Sequence, residues 1–231
     1  MSTAYQAISP LNIPPYQRIR DNYTLVLASS SPRRKGIFDT IGIPYEVHVS
    51  DFAEDLDKAS FETSGHYAMG TAVEKAKDVY GRLKAANPST RYFVVAADTV
   101  VVNQGKVLEK PASPQEAVSM LESLNGGQHE VYTGVSIVID NLGQGRQDAP
   151  PQHHSFFDQA DIEFYSFERS ILEAYVKTGD PLDKAGAYGY QSQGYFLPKA
   201  IHGDVYTVIG FPLTKFIQFL IQWDKEELMR K

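Results

Sequence analysis

Eight residues, Leu27-Ala-Ser-Ser-Ser-Pro-Arg-Arg34, assemble the parts of an anion site. An apolar run from Tyr23 to Ala28 stops at three serines, followed by a proline and two adjacent arginines. Ser31 is a natural N-cap and Pro32 suits the first helical position, so a helix is predicted to begin here. A helix start leaves backbone N–H groups unpaired and carries the positive end of the helix dipole. Two guanidiniums in that first turn oppose the dipole, which favours acidic side chains there. A local rule broken at a strand-to-helix turn points to function. An anion repairs it, because it accepts from the free N–H groups and pairs with Arg33 and Arg34. Polyphosphate has the required charge.

The second chemical residue is Asp98, between the apolar runs Tyr92–Ala97 and Val100–Val102. A carboxylate where an apolar strand ends is held rigidly at a sheet edge, and α/β crevices open at the carboxyl ends of strands. Such an Asp can ligate a hard cation or activate water. Taken singly, three further charges read as solvated: Lys75 on a long helix, Lys110 after a tight turn, and Glu54 in an acidic loop. The segment Gly179–Gln191 mixes glycines with small and aromatic residues, which fits a loop whose backbone approaches something closely. Gln191 adds an amide that can both donate and accept, as reading a nucleobase edge requires.

Other chemistries find no support. There are no cysteines, which removes disulfides, thiolate catalysis and Cys-based zinc sites. No Gly-x-x-x-x-Gly-Lys-Ser/Thr loop, His-Glu-x-x-His pair or Gly-x-Ser-x-Gly elbow occurs. Gly143-Gln-Gly145 has Asp148 in place of a third glycine, and no strand leads into it. His153-His154 falls in a polar connection and is expected to face solvent. A net charge of −6 argues against a nucleic-acid partner. Residues 1–22 lack the apolar core of a signal peptide, and no run is long enough to span a bilayer, so a soluble cytoplasmic protein is expected.

The elements that must position these residues alternate. Strands are predicted at Leu25–Ala28, Tyr45–Val49, Phe93–Ala97, Val131–Ile139, Ile162–Phe164 and Val205–Ile209. Helices are predicted at Pro32–Ile41, Tyr67–Ala86, Pro114–Leu124, Phe167–Thr178 and Pro212–Glu227. This is an α/β pattern with a mixed sheet. One domain is expected over residues 23–231, after an extended tail at 1–22. Asn141 to Ser155 reads as an exposed, mobile connection.

Six segments occur in an order that resembles the Maf family of nucleoside triphosphate pyrophosphatases, over residues 24–223: Leu27–Arg34, Ala97-Asp-Thr-Val-Val101, Lys110-Pro111, His129-Glu-Val-Tyr-Thr-Gly134, Asp183-Lys-Ala-Gly-Ala-Tyr-Gly-Tyr-Gln191 and Val208-Ile-Gly-Phe-Pro212. The resemblance implies a twisted sheet flanked by helices, cleft across the middle in the ITPase-like manner. It implies cleavage of a nucleotide between its α- and β-phosphates with the help of Mg²⁺ or Mn²⁺. Asp98 then corresponds to the group that activates water, and Arg33, Thr99 and Gln191 to positions that select substrate. Ser29, Arg34, Lys75 and Lys110 correspond to polar positions lining the phosphate cleft. Glu54 corresponds, with Asp98, to the metal site. The Asp183–Gln191 segment looks like the branch acting on dTTP and UTP, although Tyr190 stands where an aliphatic residue is commoner. A 7-methyl-GTP or other purine pyrophosphatase, and a non-catalytic nucleotide-binding regulator, are the alternatives. A homodimer is the assembly that the resemblance implies.

Overall fold

The structure, a computed structural model, describes residues 11–141 and 150–230. Its centre is a seven-stranded sheet in the order β2-β1-β3-β5-β6-β7, with β4 paired to β3 off that path. The strands are β1 (Thr24–Leu27), β2 (Tyr45–Val47), β3 (Tyr92–Asn103), β4 (Lys106–Leu108), β5 (Gln128–Ile139), β6 (Gln152–Phe164) and β7 (Pro198–His202). β1 runs parallel to β2 and β3, and the remaining pairs are antiparallel. The helices are α1 (Pro14–Asn22), α2 (Pro32–Ile41), α3 (Ser64–Ala86), α4 (Pro114–Leu124), α5 (Arg169–Lys177), α6 (Val205–Ile209) and α7 (Leu213–Met229). The expected mixed α/β class is the observed one.

Alternation along β1 and β3 assigns each residue to a face. Leu25, Leu27, Phe93, Val95 and Ala97 join α2 and α7 in one core, through Ile37, Phe38, Phe216 and Trp223. Val26, Ala28, Val94 and Ala96 turn the other way and meet Ala76, Val79 and Leu83 of α3. The period of two continues past Ala97. Asp98 therefore lies on the α3 side and Thr99 on the α2 side.

Four expectations change. Residues 14–22 are helical, not extended: Pro14 opens α1, while Tyr16 and Ile19 bury in the α7 core and Arg18 pairs with Asp224. Residues 1–10 lie outside the described residues. Val205–Ile209 is helical, not a strand, because Asp204 caps it through Tyr206 N–H at 2.9 Å and Gly210, at φ 117°, ends it. The 141–155 connection is shorter than its polarity indicated, since Gln152–Ser155 pair with Ser136–Ile139 in the β5–β6 ladder. This puts His153 and His154 in a strand: His153 is exposed, and the His154 ring sits 5.0 Å from that of Phe219. Residues 142–149, with Gly143, Gly145 and Asp148, lie outside the described residues. Finally, β3 does not end before Asp98. It continues to Asn103, paired with β5 through Val102.

What ends at Asp98 is the pairing on the other edge of β3. There β1 pairs with Tyr92–Val95 and β4 with Val101–Asn103. Between them the edge is open. Among the described residues, no helix is long and apolar enough to cross a membrane.

Candidate active site

A cavity of about 480 Å³ opens at this gap in β3, within the size range of small-molecule sites. Ser29, Arg33, Arg34, Glu54, Lys75, Asp98, Thr99 and Lys110 all line it. Residues up to 81 positions apart in the chain thus share one space. Gln191 is the exception. It is exposed and outside the lining, whereas Gly189 and Tyr190 beside it belong to the wall.

The helix start at Ser31 forms as predicted. Ser31 is extended, its hydroxyl accepts from Arg34 N–H, and Pro32 follows at the first position. The first turn of α2 contains no acid. Arg34 spends its donors inside the protein: Nε donates to the Gly210 carbonyl (2.7 Å), Nη1 to Ser29 Oγ (3.2 Å) and Nη2 to Thr99 Oγ1 (3.0 Å). Burial lowers its pKa, the negative Asp98 pulls it back up, and neighbouring Arg33 pushes it down. An arginine stays charged under such pressure.

Thr99 is fixed from its other side. Its hydroxyl lies 2.9 Å from Thr133 Oγ1, and Thr133 donates to the Thr207 carbonyl at 2.8 Å. Thr133 has one proton, committed to that carbonyl, so Thr99 donates to Thr133 and offers lone pairs to Arg34. A one-way chain therefore runs from α2 through β3 and β5 to α6. Thr133 is fully buried, and it is a residue that sequence reasoning missed.

On the α3 face, Lys75 Nζ lies 2.8 Å from Asp98 Oδ1 and 2.9 Å from Glu54 Oε2. The side chains of Lys75 and Asp98 are only 11% and 14% exposed. The solvated helical lysine suggested by sequence is in fact buried. Glu54 reaches this position at φ 57°, a left-handed conformation that is strained for a residue with a Cβ.

Arg33 pairs with Asp183 at 3.5 Å, and Asp183 also accepts from Lys184 at 2.7 Å. Burial works to raise the Asp183 pKa, but the hydrogen bond and charge of Lys184, with Arg33 behind them, hold it below the usual carboxylate value. Lys184 is buried and also donates to Asp180 at 3.0 Å. The close approach expected of the glycines in this segment is real, but the neighbour is the protein itself. A Cβ on Gly189 would sit 2.4 Å from Lys184 Cε. Lys110, also on the lining, is exposed and has no ion-pair partner among the described residues.

The sequence profile of the Maf-like protein family matches residues 24–223. The chain belongs to the Maf family. Two curated relatives illustrate the range within it. A "Probable bifunctional dTTP/UTP pyrophosphatase/methyltransferase protein" of Homo sapiens is 41% identical over 198 residues, 86% of this chain. The chain spans only 32% of that longer protein. A dTTP/UTP pyrophosphatase of Bacillus thuringiensis is 34% identical over 200 residues, covering 87% of this chain and 95% of the bacterial one. Among solved structures, that of the Staphylococcus aureus Ham1 protein aligns with a TM-score of 0.36 at 15% identity, over 61% of this chain and 71% of its own. That likeness is too slight to bear on function. In this Maf protein the family match begins at β1, so it leaves out α1, which nevertheless packs into the same core.

Proposed function

We propose that this Maf protein is a nucleoside triphosphate pyrophosphatase that hydrolyses dTTP and UTP to the monophosphate and pyrophosphate. The observation that carries this reading is the convergence of Asp98 with Arg33, Arg34, Lys75 and Lys110 around one cavity. The names of the relatives over nearly the whole chain supply the bond and the base.

Phosphoanhydride hydrolysis needs positioning and charge stabilisation more than covalent help. Arg33, through its guanidinium and its backbone N–H, and Lys110 bind the triphosphate, with Ser29 as a neutral donor. Arg34, held on three sides, keeps its positive charge fixed and acts through field more than through motion. Asp98 projects from the open edge of β3 and orients a water toward the α-phosphate, taking its proton. Thr99 sets the position of Arg34. The pyrimidine edge is assigned to Gln191, which adjoins the wall residue Tyr190 in the chain.

Asp98 and Glu54 fit a divalent cation, because both carboxylates already converge on one cationic position, that of Lys75 Nζ. Two carboxylates with water and phosphate oxygens completing the shell is the usual way Mg²⁺ is held. When bound, Mg²⁺ or Mn²⁺ neutralises phosphate oxygens. The same reading takes the protein as a cytoplasmic homodimer whose partner molecule is a nucleotide and not a nucleic acid or membrane.

Product analysis with UTP and Mg²⁺ tests the proposal. UMP and pyrophosphate in equal amounts are expected, and orthophosphate as the first product refutes the bond assignment. A purine triphosphate cleaved faster than UTP and dTTP across a substrate panel refutes the base assignment.

A further inference from the structure

Lys75 stands where a metal ion would stand. Its ammonium bridges Asp98 and Glu54 at 2.8 and 2.9 Å, and its side chain is 11% exposed. Among the described residues, no third acid or histidine joins these two in a metal-binding cluster. Glu54 adopts a left-handed backbone to deliver its carboxylate there. A buried ammonium needs acids beside it, and the buried Asp98 carboxylate needs a cation. The contact between Lys75 and Asp98 satisfies both, and Glu54, 48% exposed, adds a second acid.

A divalent cation claims the same two carboxylates. It cannot share them with the ammonium at close range, because like charges repel strongly beside the buried Asp98 carboxylate. Lys75 must then find another negative group, and the walls supply none that is free. Asp183 is engaged by Arg33 and Lys184, and Glu109 by Lys58. The remaining cavity charges, Arg33, Arg34, Lys110 and Lys184, are positive. Only an incoming polyanion offers the ammonium a new partner.

We propose that Lys75 is a resident counter-ion that competes with the divalent cation for Glu54 and Asp98, so that metal binds tightly only after nucleotide phosphates have taken Lys75 over. Lys75 is thus a positioning residue that imposes an order of binding. The nucleotide half of this statement rests on the function proposed above. The competition between ammonium and metal does not.

The test uses Mn²⁺ alone on the full chain, with free aqueous Mn²⁺ read by its paramagnetic resonance signal. Lys75→Met is expected to bind Mn²⁺ about tenfold or more tightly than wild type without nucleotide, within the usual span of coupling between sites. Lys75→Arg, which keeps the charge, is expected to stay near wild type. Equal or weaker Mn²⁺ binding by Lys75→Met overturns the proposal. A second measurement needs no substitution: acylation of Lys75 in the wild-type protein, followed by mass spectrometry. Lys75 is expected to be protected in the metal-free protein and to become reactive as Mn²⁺ saturates the site. Protection that persists at saturating Mn²⁺ overturns the proposal independently. Neither readout involves turnover, so an enzyme that cleaved another bond or base would leave both results standing.

Discussion

Gly134 lies directly across the β3–β5 ladder from Asp98, and helix α3 rests its backbone on that glycine. A Cβ there would fall 2.2 Å from Met69 N and 2.4 Å from Ala68 C. Residues opposite each other in a ladder share a face, so the same close contact that seats α3 on β5 brings Lys75 within reach of Asp98. Gly134→Ala is therefore expected to shift α3 and to destabilise the protein by about 1–3 kcal/mol, as over-packing does. Chemical denaturation measures this directly. An unchanged midpoint would show that α3 does not depend on the missing Cβ.

Asp98→Asn removes the proton acceptor and leaves the shape. Turnover is expected to fall by about 10²–10⁴ while the circular dichroism spectrum is unchanged. Pyrophosphate release measured under saturating UTP is the readout, and near-wild-type turnover would remove Asp98 from the chemistry.

Thr133→Val keeps the volume and deletes the buried hydroxyl that joins Thr99 to the Thr207 carbonyl. The carbonyl and the Thr99 hydroxyl then lose their partner, at a cost of about 1–3 kcal/mol. Because Thr99 steadies Arg34, KM for UTP is expected to rise as well. Thr133→Ser, which restores the hydroxyl, should recover KM, whereas a role limited to packing predicts no such rescue.

Buried His129 accounts for part of the pH dependence of stability. Burial depresses its pKa from 6.5 to about 4, and its Nε2 lies 2.8 Å from the Tyr188 hydroxyl. The folded value is below the unfolded one, so the unfolded chain takes up the proton first as pH falls. The stability linked to His129 is therefore full above about pH 6.5 and drains away toward pH 4, by roughly 3 kcal/mol across the window. Denaturation of wild type and His129→Phe at several pH values checks this. The gap between them should narrow by that amount on acidification, and a constant gap would exclude the linkage.

Glu54→Gly separates strain from function. Glycine adopts φ 57° without a Cβ penalty, so the variant is expected to melt within about 1 kcal/mol of wild type. Turnover is expected to fall because one carboxylate of the metal pair is gone. A variant with full activity over a magnesium titration would remove Glu54 from the site.

Local chemistry was legible in the chain itself. The Ser31 cap, Pro32 and the apolar strand before them specify a strand–turn–helix whichever way the rest folds, because capping and φ restriction act within a few residues. The apolar runs that become β1 and the first half of β3 are legible for the same reason. Val205–Ile209 marks the limit. Five largely β-branched residues favour a strand, and only the Asp204 cap and Gly210 stop make them a helix packed beside Thr133. A short apolar run does not distinguish the two by periodicity.

The site as a unit was decided by tertiary structure. Nothing near Asp98 in sequence announces that β1 and β4 leave its edge of β3 open, or that Gly134 will admit α3. Lys75, 23 residues away, read as a solvated helix charge until the fold buried it between Asp98 and Glu54. Gln191 carried the right chemistry for a base, yet the loop turns it out of the cavity wall and leaves Tyr190 in. Sequence determines which groups are present and the local shape each segment prefers, since those depend on near neighbours. Which of them meet depends on strand register and on the distance between packed backbones, and these are set by contacts distant in the chain.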